Sequence, residues 1–228
     1  MIDYESPLKA EDVRQICLKN GLEILDAQWH LLENWSTLLL ELNQAVNLIS
    51  RKEIDFLWEK QILSCLTLLI LRKFSLNSEI CDFGTGGGLP GIPLAIVRPD
   101  LNLTLFESRQ KKVVAVNKMI ESLKIPNVQI ALGRGEELAK KKQWFKRFPY
   151  VTSRAVASST DIVNWTKDLR TKKSVLHLFK GGKIYDEVFC LKKKFPGIKI
   201  SSSLMNLNGY PKFAENKKYL ISLEYCKE

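Results

Sequence analysis

The chain has 228 residues, of which 45% are hydrophobic, so it can bury a sizeable core and is not a disordered tail. Lys and Arg number 35 against 25 Asp and Glu, and the formal net charge of +10 favours a polyanionic partner, nucleic acid before an anionic membrane. The acidic N-terminus lacks the apolar segment of a signal peptide, and the longest apolar run, residues 62–71, is too short to span a bilayer. We therefore expect a protein that is not associated with a membrane.

Cysteine and histidine usage excludes several kinds of site. The five cysteines are odd in number and scattered without a CxxC pair, which predicts reduced thiols in the cytoplasm rather than disulfides or a zinc site. His30 and His177 are the only histidines and lie far apart in sequence. We therefore expect neither a metal site nor a His-based catalytic triad.

The first 75 residues have helical periodicity and contain no strand candidate. The pattern predicts helices between Ser6 and Gly21, from Asp26 to about Val46, and over about residues 52–73. No Pro- or Gly-rich linker follows them. We expect residues 1–75 to form a helical cap on a core of residues 76–228, the two making one structural unit.

From residue 79 onward, strand patterns alternate with helix patterns. Strands are predicted over residues 79–83, 101–106, 128–132, 150–153, 174–179, 198–204 and 219–225, and helices over 111–123, 161–169 and 183–194. This alternation is typical of an α/β fold with a mostly parallel sheet. The turn-rich residues 208–211 between the last two strands predict an antiparallel hairpin at one edge.

A glycine cluster follows the first strand. Gly86, Gly88 and Gly91 have the spacing of a dinucleotide-binding turn, and Glu107 ends the next strand about 20 residues later, where an acid can hold the two hydroxyls of a ribose. The alternative is a glycine-rich turn without a ligand, with the acid capping the next helix. The order of strand, glycines, helix, strand and acid favours a nucleotide site.

These motifs resemble those of the small-subunit rRNA guanine-N7 methyltransferase family, of the RsmG or GidB type, over about residues 43–225. The residues that carry the resemblance are 82–93, 104–108, 133–137, 153–155 and 179–181. The resemblance implies a class I AdoMet-dependent methyltransferase fold, Rossmann-like, with a mostly parallel seven-stranded sheet and an antiparallel last strand. It also implies S-adenosyl-L-methionine (AdoMet) as cofactor, and 16S rRNA or the small ribosomal subunit as partner.

Site residues follow from this resemblance position by position. The predicted cofactor contacts are Asp82, Gly84, Gly86, Leu89, Glu107, Gly135, Glu136 and Arg154. Arg134 and Lys180 match basic positions near cofactor or RNA, and both are predicted RNA contacts. Arg154 and Lys180 are the predicted catalytic residues.

Guanine N7 suits a site without a catalytic His or Cys. Its in-plane lone pair carries no proton and can attack the sulfonium methyl group directly, so proximity and alignment should supply most of the rate. After strand four, the sequence Ser153-Arg154-Ala155 stands where amino-group methyltransferases usually have an Asn/Asp-Pro-Pro-aromatic motif. No cysteine follows a catalytic-looking turn, as pyrimidine C5 methylation would require.

Each basic site residue has two interpretations. Arg154, at the carboxyl end of strand four, either contacts guanine O6 or a flanking phosphate, or forms a salt bridge that orders its loop. Lys180 is either a phosphate or base contact or an exposed lysine at the end of a strand. Arg134 either holds RNA or pairs with Glu136 or Glu137.

Two departures keep alternative functions open. The family usually has His and Asp where this chain has Gln61 and Ser64, which leaves room for an RNA-binding module that has lost catalysis. The glycine pattern also permits an NAD(P)-dependent oxidoreductase, which the absence of a Tyr-x-x-x-Lys or His-based pair in a matching place disfavours. Residues 138–149, rich in Lys and aromatics, form either an RNA-contacting loop or a segment packed on the core. No coiled-coil seam is evident, which predicts a monomer.

Overall fold

A single seven-stranded sheet forms the centre of the computed structural model, which describes residues 6–226. The strands are β1 (Glu79–Phe83), β2 (Asn102–Glu107), β3 (Val128–Leu132), β4 (Phe148–Arg154), β5 (Arg170–Gly181), β6 (Ile198–Leu204) and β7 (Lys218–Cys226). Their order is β3-β2-β1-β4-β5-β7-β6, with β1 to β5 mutually parallel and β7 antiparallel to both of its neighbours. The predicted class I Rossmann-like sheet is confirmed. The last strand lies inside the sheet, and β6 forms the edge.

Nine α-helices surround this sheet in the described part of the chain. They are α1 (Ala10–Lys19), α2 (Asp26–Asn43), α3 (Ser64–Leu71), α4 (Gly91–Val97), α5 (Gln110–Ser122), α6 (Gly135–Leu138), α7 (Ser159–Trp165), α8 (Tyr185–Lys194) and α9 (Lys212–Glu215). The predicted third helix is wrong in its first half. A 3-10 turn at Arg51–Glu53 is followed by a break and then by a π-helical segment, Leu57–Leu63, which runs directly into α3.

Apolar cores lie on both faces of the sheet. On one face, the N-terminal helices pack against α4 and α5, and Trp35, Ile92 and Val116 belong to the same buried cluster. On the other face, α7 and α8 cover β4 and β5, with Ile162 and Leu191 buried. The N-terminal helices thus share a core with the sheet domain, and the division of the chain at residue 75 stays a prediction.

Helix α2 shows why the N-terminal segment packs where it does. Trp29, Leu32, Trp35 and Leu39 repeat at helical spacing and are all buried.

The described residues contain no helix that is both long and apolar enough to cross a membrane.

Candidate cofactor and base cavities

The switch point of the sheet lies at β1, where strand order reverses between β2 on one side and β4 on the other. Open α/β sheets bind ligands at such a point, outside the carboxyl ends of the strands. The glycine cluster after β1, Glu107 at the end of β2 and Arg154 at the end of β4 all lie there. The topology therefore brings together residues that are far apart in sequence.

Asp82 holds the glycine loop from beneath. Its Oδ2 accepts hydrogen bonds from Thr85 Oγ1 at 2.6 Å and from the Gly91 amide at 2.9 Å, and its Oδ1 accepts one from Thr152 Oγ1 at 3.2 Å. Complete burial raises the pKa of the Asp82 carboxyl to about 6, although these hydrogen bonds act in the opposite direction. Its oxygens thus fasten the loop to α4 and β4, and a contact of Asp82 with the cofactor stays a prediction.

Glu107 closes the other side of the loop. Its Oε2 accepts from the Gly86 amide at 3.1 Å, and its Oε1 accepts from the Arg109 amide at 2.8 Å. Because each carboxylate oxygen has two acceptor positions, capacity remains for further donors such as ribose hydroxyls. The backbone of Gly84 has φ +77°, and a β-carbon there would clash with the side chain of Val156. This part of the loop therefore requires glycine.

A cavity of about 520 Å³, which we call the first cavity, opens above this loop. All of the predicted cofactor residues except Asp82 line it: Gly84, Gly86, Leu89, Glu107, Gly135, Glu136 and Arg154. Arg134 lines it as well. Its volume lies within the range of small-molecule sites. Its lining also includes the aromatic residues Phe106 and Trp165. Arg109 and Lys112 line it as well and place positive charge beside Glu107.

The N-terminal segment supplies the opposite wall of the first cavity. Asn43 Oδ1, at the end of α2, accepts hydrogen bonds from the amides of Leu48 and Ile49 at 2.8 and 2.9 Å. These bonds fix a turn that lies against the glycine loop, where a β-carbon added at Gly87 would be 3.1 Å from Leu48. The cavity therefore depends on the helical cap as well as on the sheet.

Arg154 is held by the π-helical segment. Its guanidinium donates to the side-chain oxygen of Gln61 and, at 3.4 Å each, to the backbone oxygen of Gln61 and to Cys65 Sγ. Gln61 in turn donates from Nε2 to Glu53 Oε2 at 2.7 Å. The position where the family usually has His is thus occupied by a buried glutamine that links Arg154 to Glu53.

A second cavity, of about 680 Å³, adjoins the first and shares Glu53, Arg154 and Ala155 with it. We define it by its lining residues: Glu53, Glu59, Lys60, Ser64, Arg154, Ala155, Phe179, Lys180, Gly181, Met205, Tyr210, Phe213, Asn216 and Lys218. Apolar and aromatic side chains make up one part of this lining and charged side chains another. Arg154 stands at the boundary between the two cavities.

Lys180 and Arg134 have different surroundings. Lys180 lines the second cavity, but its Nζ lies 2.7 Å from Glu187 Oε1 and donates to the Ala157 carbonyl at 3.1 Å. Arg134 is largely exposed at the rim of the first cavity, and its Nη1 lies 3.9 Å from Glu136 Oε1. Arg134 therefore remains accessible to an external anion, whereas Lys180 is engaged within the protein.

Sequence reasoning missed part of the site. Glu53, Glu59 and Lys112 line the cavities, yet none stands in a motif that marks it. Lys112 lies in the first turn of α5, the helix that follows Glu107, and burial lowers the pKa of its ammonium group. Among residues 6–226, no group of three or more His, Cys, Asp or Glu side chains could hold a metal ion.

Comparison with known proteins identifies the family. A family model described as rRNA small subunit methyltransferase G (GidB) matches residues 28–210. The chain belongs to this family. The predicted family, the enzyme class and the methyltransferase fold are therefore confirmed, and the oxidoreductase alternative is overturned.

Individual relatives of the family cover most of the chain. A ribosomal RNA small subunit methyltransferase G from Flavobacterium psychrophilum is 35% identical over 74% of this chain and 77% of its own. One from Chlorobium phaeobacteroides is 33% identical over 84% of this chain and 83% of its own.

Solved structures support the fold. A mutant of MtNAS in complex with S-adenosylmethionine has a TM-score of 0.57 at 13% identity, covering 96% of this chain and 85% of that one. A SAM-dependent methyltransferase from Aquifex aeolicus has a TM-score of 0.51 at 14% identity, covering 72% of this chain and 93% of that one.

Proposed function

We propose that this protein transfers a methyl group from AdoMet to N7 of a guanine in small-subunit (16S) rRNA. Its family gives the coarser activity, an AdoMet-dependent methyltransferase acting on rRNA. The observation that carries the finer proposal is the pair of adjoining cavities that meet at Arg154, with no His or Cys in the lining of either. One cavity suits a nucleoside cofactor and the other is large enough for a base.

The residues that line the first cavity suit the chemical groups of AdoMet. Glu107, with acceptor capacity left on Oε2, would hold the ribose hydroxyls, and the glycine loop brings backbone close to the ligand without side chains in the way. Trp165, which lines the cavity and is only partly buried, offers flat apolar surface for an adenine ring. When bound, AdoMet supplies an electrophilic methyl group on a positively charged sulfur.

The chain's own residues need only align the base. Because guanine N7 has no proton to lose, its lone pair forms the new N–C bond while the methyl–sulfur bond breaks toward sulfur, and no general base takes part. Arg154 has guanidinium donors beyond those that it gives to Gln61 and Cys65. We assign one of them to guanine O6 or to a flanking phosphate.

Lys180 receives a different role from the one that the sequence predicts. Its ion pair with Glu187 and its bond to the Ala157 carbonyl hold the loop after β4 that carries Ala155. We therefore propose that Lys180 positions this loop, and that the exposed Arg134, Lys60 and Lys218 contact RNA phosphates.

The setting of the reaction is also part of the proposal. Cys17, Cys65, Cys81 and Cys190 are free thiols, which supports a reducing compartment and thus the cytoplasm. We propose that the protein acts as a monomer on the small ribosomal subunit or its RNA. The target base must leave its stack, or lie in an open loop, to enter the second cavity.

Transfer of radiolabelled methyl groups to small ribosomal subunits that lack base methylation tests this proposal. We expect the wild-type protein to label the RNA of the subunit. Glu107→Ala should weaken AdoMet binding about tenfold or more, because it removes a charged acceptor from the cavity, and should leave RNA binding unchanged. Arg154→Ala should keep AdoMet binding and lose turnover.

Two outcomes would contradict the proposal. A wild-type protein that binds AdoMet but labels no small-subunit RNA would overturn the function. Full turnover by Arg154→Ala would overturn the role of that residue.

A further inference from the structure

Glu59 is a buried carboxylate that the mechanism above does not use. It lies in the π-helical segment, is only 5% exposed and lines the second cavity. Its Oε2 is buried and has no hydrogen-bond partner among the described residues. A buried acceptor without a partner destabilises the folded protein, and such an atom in a native site calls for an explanation.

Four cations line the second cavity, Lys60, Arg154, Lys180 and Lys218, and among the described residues none of them forms an ion pair with Glu59. Lys60 places its Nζ over the Phe56 ring, 3.9 Å from the ring centroid. Lys180 is paired with Glu187, and Arg154 is bonded to Gln61. The unsatisfied oxygen of Glu59 is therefore not explained by an ion pair with these four residues.

The rest of the second cavity suits a flat aromatic ligand. Phe179, Met205, Tyr210 and Phe213 are buried and line it, and the rings of Tyr210 and Phe213 meet edge to face at 5.0 Å. A base taken out of its stack is held by aromatic and apolar side chains and is read through hydrogen bonds to its Watson–Crick edge. The cavity thus combines a surface for stacking with a carboxylate in need of donors.

We propose that Glu59 is the residue that selects guanine, by accepting hydrogen bonds from N1–H and the N2 amino group of the target base. Among the four RNA bases, only guanine places two adjacent donors on its Watson–Crick edge, and two carboxylate oxygens match them. Because χ3 of glutamate is a soft torsion, a rotation of the carboxylate presents both oxygens to the cavity. This inference rests on the proposed function.

Recognition through this edge is compatible with the chemistry. N7 lies on the Hoogsteen edge of guanine, away from N1 and the N2 amino group, so a base held by Glu59 keeps N7 free. Arg154, at the boundary with the first cavity, is then placed on the side of the acceptors. Glu59 and Arg154 would read different edges of one base.

Nucleotide binding tests this recognition without requiring methyl transfer. The full-length protein, saturated with S-adenosylhomocysteine, is titrated with GMP, IMP and AMP and followed by NMR. IMP lacks only the N2 amino group, so we expect the wild type to bind GMP about tenfold more tightly than IMP. Glu59→Gln, nearly isosteric, should lose this preference, because its amide group opposes the donors of the base.

Glu215→Gln is the matched control. It removes the same charge from an exposed position on α9, outside the cavity lining, and should keep the GMP preference. Melting curves of the variants report whether they fold. Equal binding of GMP and IMP by the wild type, or an unchanged preference in Glu59→Gln, would overturn the proposal.

The methyl-transfer assay distinguishes a failure of guanine selection by Glu59 from a failure of the proposed function. We expect Glu59→Gln to bind AdoMet normally while its kcat/KM for RNA falls about tenfold or more. A wild-type protein that prefers GMP but methylates no small-subunit RNA would overturn the proposed function and support guanine recognition. A Glu59→Gln protein that methylates RNA at the wild-type rate would overturn guanine selection and leave the proposed function standing.

Discussion

His177 is a buried imidazole in the centre of the sheet. It is 2% exposed, contacts the rings of Phe74 and Tyr150, and has its Nδ1 3.0 Å from Ser222 Oγ. Burial, together with the nearby positive charge of Arg72, lowers the pKa of His177 to about 3. The histidine is therefore neutral in the folded protein and serves the core rather than catalysis.

This pKa predicts an acid-sensitive contribution to stability. Below about pH 6.5 the unfolded chain protonates His177 while the folded protein does not, so acidification favours unfolding until the folded pKa is reached. We expect the free energy of unfolding of the wild type, relative to that of His177→Gln, to fall by about 1.4 kcal/mol for each pH unit below 6.5. Denaturant titrations between pH 7 and pH 5 measure this difference.

Asp82 changes the free energy of unfolding with pH in the direction opposite to His177. The comparison of wild type with His177→Gln removes its effect. Its folded pKa of about 6 lies above the ordinary pKa of an aspartate carboxyl, so its ionisation weakens the folded state as pH rises between those two values. Because Asp82 is present in both proteins, the difference between them isolates His177. Parallel stability curves for wild type and His177→Gln would contradict the assignment.

At the scale of elements, the junction between the glycine loop and α4 fixes the shape of the first cavity. The Gly91 amide donates to Asp82 Oδ2, and a β-carbon added at Gly91 would clash with Leu105 Cδ2 and lie 2.9 Å from that oxygen. The side chains around this position are fully packed. No room remains for even one additional methyl group.

Gly91→Ala should therefore destabilise the protein and disturb the loop. We expect a loss of about 1–3 kcal/mol from overpacking, seen as a lower Tm, together with weaker AdoMet binding. Gly197→Ala is the control, because a β-carbon there meets no atom within 4 Å and its φ is not in the left-handed region. Equal melting temperatures and AdoMet affinities for the two variants would show that Gly91 is not tightly packed.

Short apolar runs bounded by turn signals predict several strands of the sheet. The bounds of β1, β3 and β6 match the prediction, since their apolar residues identify them locally. Strand β5 begins at Arg170, earlier than predicted, because that residue is polar in sequence and yet buried, with its guanidinium 3.7 Å from the Tyr225 ring centroid. Only the tertiary structure supplies that partner.

The sequence allows two interpretations of residues 138–149, which lead into β4: an RNA-contacting loop or a segment packed on the core. The packing of their aromatic side chains distinguishes the two. Trp144 and Phe148 are buried, stack on each other and meet Phe106 edge to face, whereas Phe145 is exposed. Two of the three aromatic side chains therefore belong to the core, whereas the lysines of this segment are exposed. Its interpretation as an RNA-contacting loop is not supported for the two buried rings.

The distinction between residues that a local pattern identifies and residues that tertiary packing places applies to the site as well. Glycine spacing and a strand-terminal acid identify Glu107 and its loop locally, because backbone geometry dictates those residue types. Glu59 and Gln61 gain their surroundings from the packing of the π-helical segment against the end of β4, which no local pattern encodes. Cofactor contacts are thus more predictable from this sequence than substrate contacts.

At the scale of the whole molecule, the net charge of +10 predicts strong salt dependence of RNA binding. Each phosphate contacted adds about 0.7–0.9 to the slope of log affinity against log salt. Lys218, exposed beside the second cavity, should account for about one such contact, so Lys218→Ala should reduce the slope by about 1.

Filter binding of small-subunit RNA over a salt series measures these slopes. Lys193→Ala, exposed on α8 and outside the lining of both cavities, is the control and should leave the slope unchanged. Equal reductions in the two variants would indicate general attraction rather than a phosphate contact at the second cavity.

Identification of the methylated nucleoside tests the central claim most directly. Small-subunit RNA is treated with the wild-type protein and AdoMet, digested to nucleosides, and compared by chromatography and mass spectrometry with 7-methylguanosine and the other methylguanosines. The account predicts 7-methylguanosine as the product, absent when Glu107→Ala is used at low AdoMet. A methyl group on an exocyclic amine, on a ribose or on another base would contradict it.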